Sequence, residues 1–197
     1  MASQSKTLFE QFLAPLFSHL IDREALLRLR DQIDWETAVA GFTNPQVVYP
    51  NYYTTSNFHG VENGYLNVDA ALTYDPITQY VLPPSETWVR ESLVKAIKGE
   101  PRRILDLGCG TGTTTLMLKR LFANAEVIGL DLSPQMLVMA DHKAREAGVA
   151  VTLRHGNAMA TGLPAASFDV VCATLLFHET PPAVAKTILS EALRLLT

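Results

Sequence analysis

The stretch Ile104-Leu105-Asp106-Leu107-Gly108-Cys109-Gly110-Thr111-Gly112 constrains this chain more than any other, because an apolar run passes without a break into alternate glycines. Arg103 to Leu107 is short, apolar and interrupted by one acid, which predicts a strand buried in a parallel sheet. Glycines at 108, 110 and 112 have no Cβ, so the backbone can bend there and let a bound molecule approach it closely. From Thr113 to Leu121 the residues Leu116, Met117, Leu118 and Leu121 recur at helical spacing, with Thr111 or Thr113 available as a hydroxyl cap. The unit reads strand, glycine turn, helix.

Val127-Ile128-Gly129-Leu130-Asp131 predicts a second buried strand that ends on a carboxylate. In a right-handed βαβ unit neighbouring strand ends lie side by side, so Asp131 faces the glycine turn. An acid about 20 residues past such a turn is placed for the two hydroxyls of a ribose. The glycine spacing is G-x-G-x-G, not the G-x-G-x-x-G that cradles a pyrophosphate, and Asp106 repels a phosphate. Together these residues favour a positively charged nucleoside.

At this point the chain resembles the class I S-adenosylmethionine-dependent methyltransferases. Ile104 to Gly112 is similar to the first motif of that family, and Val127 to Leu137, with Leu132-Ser133-Pro134 after the acid, to its second. Gly156-Asn157-Ala158 resembles the third-strand G-D-A motif with Asn for Asp, and Phe168-Asp169-Val170-Val171-Cys172-Ala173-Thr174 resembles the fourth strand. The resemblance implies an α/β, Rossmann-like, doubly wound parallel sheet, S-adenosyl-L-methionine as cofactor, and methyl transfer to a small-molecule acceptor. It implies that Asp106 and the main-chain groups of Gly108, Cys109, Gly110, Thr111 and Gly112 hold the amino-acid end of the cofactor. Asp131 then accepts from the ribose, Leu132 and Met159 touch the adenine, Asn157 meets its amino group, the main chain of Ala158 meets a ring nitrogen, and Thr174 borders the methionine part.

Transfer from a sulfonium needs a general base only where the acceptor must lose a proton early. His178 is the candidate, with His59, Tyr52 and Tyr53 behind it, and the sequence assigns no catalytic residue. Glu179 reads as a charge beside a helix start. A nicotinamide-dependent oxidoreductase is disfavoured by the glycine spacing and Asp106, and a non-catalytic cofactor-binding or regulatory fragment stands as the other alternative. The family's sheet continues with three more strands after a helix like the one beyond Pro181-Pro182. The expectation is therefore a fragment with the first four strands, whose fourth strand is an open edge for a second copy or a completing chain.

Residues 1–84 read as an N-terminal helical and aromatic-loop extension, and 85–197 as the cofactor-binding domain. Leu8 to Ile21 predicts an amphipathic helix, Leu26 to Leu29 a second, and Trp35 to Ala40 a third that Gly41 ends. Between Phe42 and Asn67, Tyr49, Tyr52, Tyr53, Phe58, His59 and Tyr65 form an aromatic segment whose rings can surround a sulfonium or a flat substrate. Asp69 to Tyr80 predicts a helix broken near Pro76. Ser85 caps the next one, with Trp88, Val89, Leu93, Val94 and Ile97 on one face. Ser133-Pro134 opens the helix that Gly148 closes, Val149 to Leu153 is the third strand, and Phe168 to Leu175 the fourth. A last helix from about Ala183 carries Val184, Ile188, Leu189, Ala192, Leu193 and Leu196 on one stripe.

With 48% hydrophobic and 18% charged residues, the chain can fill a sizeable core. A net charge of -4 without a Lys/Arg cluster argues against nucleic acid. Cys109 and Cys172 suit reduced thiols in a cytoplasmic protein, and neither is a metal ligand. No run reaches the ~20 apolar residues of a membrane span, and the N-terminus has no secretory pattern.

Overall fold

The computed structural model describes residues 22–56, 58, 64–81 and 85–197. The helix read over Leu8 to Ile21, and His59, lie outside the described residues. Helices α1 (Arg23–Gln32), α2 (Trp35–Phe42), α3 (Asn51–Thr55), α4 (Val68–Val81) and α5 (Glu86–Ala96) come first. Then β1 (Arg103–Leu107), α6 (Thr113–Leu121), β2 (Glu126–Asp131), α7 (Pro134–Glu146), β3 (Thr152–His155), β4 (Val170–Cys172) and α8 (Pro182–Leu195) follow. Side-chain oxygens start several helices by accepting an otherwise unsatisfied N–H: Asp22 from Ala25, Asp34 from Thr37, Ser85 from Trp88 and Ser133 from Met136.

The strands pair in parallel in the order β3-β2-β1-β4, so the direction of winding reverses between β1 and β4. This is the Rossmann-like, doubly wound α/β class that the sequence predicts. Alternation along each strand sorts side chains onto two faces. Leu105, Leu107, Ile128 and Leu130 pack with Phe168, Ile188 and Leu195 on the α8 side. Ile104 and Val127 pack with Val94 of α5 and Leu118 of α6 on the other side. A third cluster joins α4 to α7, with Ala70, Ala71 and Leu72 against Met136 and Met139.

Several boundaries differ from the sequence reading. Pairing of the third strand begins at Thr152, not Val149, because β2 sets the register as Ile128 opposite Thr152 and Asp131 opposite His155. The fourth strand is short. Asp169 donates its N–H to the Arg103 carbonyl while its side chain accepts from the N–H groups of Arg102 and Arg103, and Leu175 turns to a φ of +57°. At this edge Phe168 bridges to Leu196, just past α8. α4 runs through Pro76, held by its buried Ala70, Ala71 and Leu72 face, and α2 continues past Gly41 to Phe42. On α8, Ile188 and Leu195 are buried whereas Leu189 and Leu193 face outward.

Candidate functional site

A pocket opens at the C-terminal ends of β1, β2 and β4, beside the point where strand order reverses, the usual ligand position of open α/β sheets. Its void, counted together with the open mouth, is about 770 Å³. One wall is the glycine turn. Gly108 sits at a φ of +66°, and a Cβ there would stand 2.7 Å from Leu176. Gly112, at +78°, is the N-cap of α6 without a side-chain cap, and a Cβ on it would meet Ala140 of α7 at 2.8 Å.

The hydrogen bonds of this turn decide what it can bind. The N–H groups of Gly108 and Cys109 both donate to the Leu130 carbonyl, that of Gly110 to Asp131 Oδ2, and that of Gly112 to the Cys109 carbonyl. A phosphate cradle needs such donors free, and here they are spent inside the protein. Beside these spent donors the Asp131 carboxylate lines the pocket.

Asp131 accepts from Ser133 N at 2.8 Å through Oδ1 and from Gly110 N at 2.8 Å through Oδ2, which leaves lone pairs for a ligand's hydroxyls. Burial pushes its carboxyl up to about 6 against these bonds. Asp106 is buried on the other face of β1, where it accepts from Thr115 Oγ1 at 2.7 Å. Burial likewise raises it to about 6. At the tip of β4 the Thr174 side chain is buried and its Oγ1 has no hydrogen-bond partner, a polar atom left for a ligand.

The opposite wall is aromatic. Phe58 stacks on Tyr65 at 5.4 Å between centroids, and Tyr52, Tyr53 and Tyr74 meet them edge-on or tilted. The Tyr65 hydroxyl donates to Glu179 Oε1 and holds that carboxylate at the pocket. Burial first, and then the Glu179 charge, push the Tyr65 hydroxyl far above the usual phenol range, so it stays a donor. Arg90 of α5 reaches the pocket as well, but its guanidinium is tied to Glu86 and to Thr114 Oγ1.

Of the residues singled out from the sequence, Gly108, Cys109, Gly110, Asp131, Leu132, Asn157, Ala158 and Thr174 line this pocket together. Asp106, Thr111, Gly112 and Met159 do not. Asp106 lies behind the wall, and Met159 packs against the core. Thr111 and Thr113 do not cap α6. Their hydroxyls join a cluster in which Asp75 of α4 accepts from Thr111 at 2.7 Å and Lys143 of α7 donates to Asp75 and Thr113. Asn157 Oδ1 accepts from Met159 N at 2.9 Å, while its Nδ2 donates to the Val48 carbonyl of the extension. The half-exposed His178 ring is not in the lining and lies 3.3 Å from Glu179. Glu179, just before the Pro181 N-cap of α8, also lines the pocket. Arg90, Tyr65 and Tyr74 are further lining residues, and only Tyr65 carried a signal, through the density of rings around it.

Residues 104–197 match a family model described as a methyltransferase domain. The demethylmenaquinone methyltransferase of Thermus thermophilus is 42% identical over 84 residues, 43% of this chain and 38% of that protein. The ubiquinone biosynthesis O-methyltransferase of Azorhizobium caulinodans is 37% identical over 94 residues, 44% of this chain and 36% of that one. The chain thus spans well under half the length of either relative. Among solved structures, a putative S-adenosyl-L-methionine-dependent methyltransferase of Methanococcus maripaludis aligns with a TM-score of 0.57 at 16% identity, over 67% of this chain and 60% of its own. A phosphoethanolamine N-methyltransferase of Haemonchus contortus, solved with phosphomonomethylethanolamine and S-adenosylhomocysteine, gives 0.59 at 21%, over 78% and 34%. These two likenesses concern the fold. Residues 104–197 are thus similar to methyltransferase domains.

Proposed function

We propose that this protein holds S-adenosyl-L-methionine in the pocket at the ends of β1, β2 and β4 and transfers its methyl group to a small-molecule acceptor. The observation that carries the reading is the glycine turn whose Gly108, Cys109, Gly110 and Gly112 N–H groups are spent internally, with the Asp131 carboxylate in the same pocket lining. That donor set fits a cationic nucleoside and opposes the pyrophosphate of a nicotinamide cofactor. The orphaned Thr174 hydroxyl and the bare approach at Gly108 fit the same ligand. Demethylmenaquinone and ubiquinone-pathway methyltransferases among the relatives support a small-molecule acceptor.

In this reading Asp131 accepts from both ribose hydroxyls through the lone pairs that Gly110 and Ser133 leave. Leu132 and Ala158 give the adenine an apolar wall, with Asn157 beside its amino group. The main chain from Gly108 to Gly110 borders the amino-acid end, Thr111 and Gly112 fix the shape of the turn, and Asp106 adds negative potential from behind it. The bound cofactor supplies a methyl carbon already activated by the sulfonium. The residues then have to align the acceptor and exclude water, which the aromatic wall does. Two free cysteines, one buried and one half-buried, support a cytoplasmic setting.

Calorimetry checks this directly. S-Adenosylhomocysteine is expected to give saturable heat with the full chain and NAD none. Heat with NAD alone, or with neither, would overturn the proposal.

A further inference from the structure

Asn157 stands where the resembled motif has an acid, and its contacts give that departure a physical reason. An ionised acid only accepts hydrogen bonds, whereas an amide accepts and donates. Here it does both. Its Oδ1 accepts from Met159 N at 2.9 Å, and its Nδ2 donates to the Val48 carbonyl at 3.2 Å. Turning the amide over would set donor against donor at Met159 and oxygen against oxygen at Val48, so the two partners fix its orientation.

Val48 opens a chain of contacts that ends in the pocket. Its side chain is 77% exposed, so this residue is held by its carbonyl and not by packing. The next ring, Tyr49, stacks on Tyr53 with centroids 6.2 Å apart, and Tyr52 and Tyr53 line the pocket together with Asn157. His155, two residues before Asn157, holds the other end of the same stretch, where Asn44 N donates to its Nδ1.

We propose that Asn157 is a positioning residue that couples the nucleoside end of the cofactor site to the aromatic wall by fastening Val48, and that this coupling requires an amide. The inference rests on the proposed function. A carboxylate at this position keeps the bond from Met159 N but sets an oxygen opposite the Val48 carbonyl with no proton between them. It also adds a negative charge beside Asp131 in the lining. Val48 then moves away, and Tyr53 loses the ring stacked on it. The motif alone argues the reverse, since an ionised acid is the stronger acceptor for an adenine amino group.

Asn157→Asp, which preserves the bond within its own turn, therefore tests the proposal by sign. Hydrogen–deuterium exchange of the full chain without ligand is expected to be about tenfold faster in the variant at Asn44, Gln46 and Val47, whose N–H groups are bonded in the wild type. Exchange in β1 and β2 is expected to be unchanged. Calorimetry is expected to show S-adenosylhomocysteine bound about tenfold more weakly. Asn157→Ser, whose hydroxyl stays within its own turn and falls short of Val48, is expected to give the same pair of changes without the added charge. Unchanged exchange at 44–47, exchange raised equally in the strands, affinity equal or tighter in Asn157→Asp, or weakening confined to that variant would each overturn the proposal. A wild-type chain that binds no S-adenosylhomocysteine overturns the proposed function and this inference with it. Wild-type binding with any of those contrary results overturns this one alone.

Discussion

Asp131 concentrates the chemistry of the site in one side chain. Two backbone N–H groups hold it in place at 2.8 Å, and it must be ionised to accept from a ligand's hydroxyls as well. Its carboxyl is raised by burial to about 6, so acid removes the charge at a pH where an ordinary carboxylate would keep it. Affinity for S-adenosylhomocysteine is therefore expected to weaken as pH falls from 7.5 through about 6. Asp131→Ala is expected to weaken it roughly 10- to 100-fold, the worth of hydrogen bonds to a charged group, and to flatten the pH dependence. Calorimetry at several pH values, with melting curves as a control for folding, measures both; pH-independent affinity in the wild type would contradict the assignment. Asp131 was legible because its position follows from local pattern, a strand end one helix beyond a glycine turn. Glu179 was not, since its partner Tyr65 lies 114 residues away, and nothing in either neighbourhood announces the pairing.

Helix α5 shows how an apolar pattern can find part of a buried face, Leu93, Val94 and Ile97 at the core, and still miss its charged part. The apolar pattern picks Trp88, Val89, Leu93, Val94 and Ile97, yet the buried stripe is Glu86, Arg90 and Val94, while Trp88 is 58% exposed. Charged residues count as surface in any hydrophobic pattern, and only the fold reveals that Glu86 and Arg90 satisfy each other and Thr114. Such a pair is weak evidence of net stability, because its attraction is offset by lost hydration, but half of it is worse than none. Arg90→Leu is expected to cost about 3–5 kcal/mol by stranding the Glu86 carboxylate. The double variant Glu86→Leu/Arg90→Leu is expected to recover most of that loss. Urea denaturation of the single and double variants decides it, and a double variant as unstable as the single would show that Arg90 acts through packing instead. The strands follow the same logic. Buried β1 and β2 declare themselves by unbroken apolar runs, whereas edge strand β3 includes Arg154 and is set by its pairing with β2 more than by composition.

The residues ahead of β1 and the strand ends meet at the pocket, and His155 braces Asn44 and Tyr49 to Leu132. Its Nδ1 accepts from Asn44 N at 2.9 Å, which puts the ring proton on Nε2, within 3.0 Å of both the Leu132 carbonyl and the Tyr49 hydroxyl. The Asp75–Lys143–Thr113 cluster and the bond from Ser133 Oγ to the Tyr65 carbonyl tie the same two parts together. Protonating Nδ1 would set two donors against each other at Asn44, and burial lowers the His155 pKa below its usual value. The unfolded chain therefore takes up a proton near the ordinary histidine pKa of ~6.5 while the folded chain still resists it. The stability His155 supplies is complete above that pH and declines as pH falls below it. Asp106 and Asp131 act in the opposite sense. Raised to about 6, they bind protons in the folded state first, so their contribution grows with acid. Comparing the wild type with His155→Phe cancels the carboxylates and isolates the brace. At pH 8 the variant is expected to be less stable by about 1–3 kcal/mol, the cost of stranding buried hydrogen-bonding groups. That gap is expected to narrow steadily between pH 6.5 and 5.5 in urea denaturation. A gap that stayed constant over this range would mean that the imidazole fills space between the two parts without bracing them through its nitrogens.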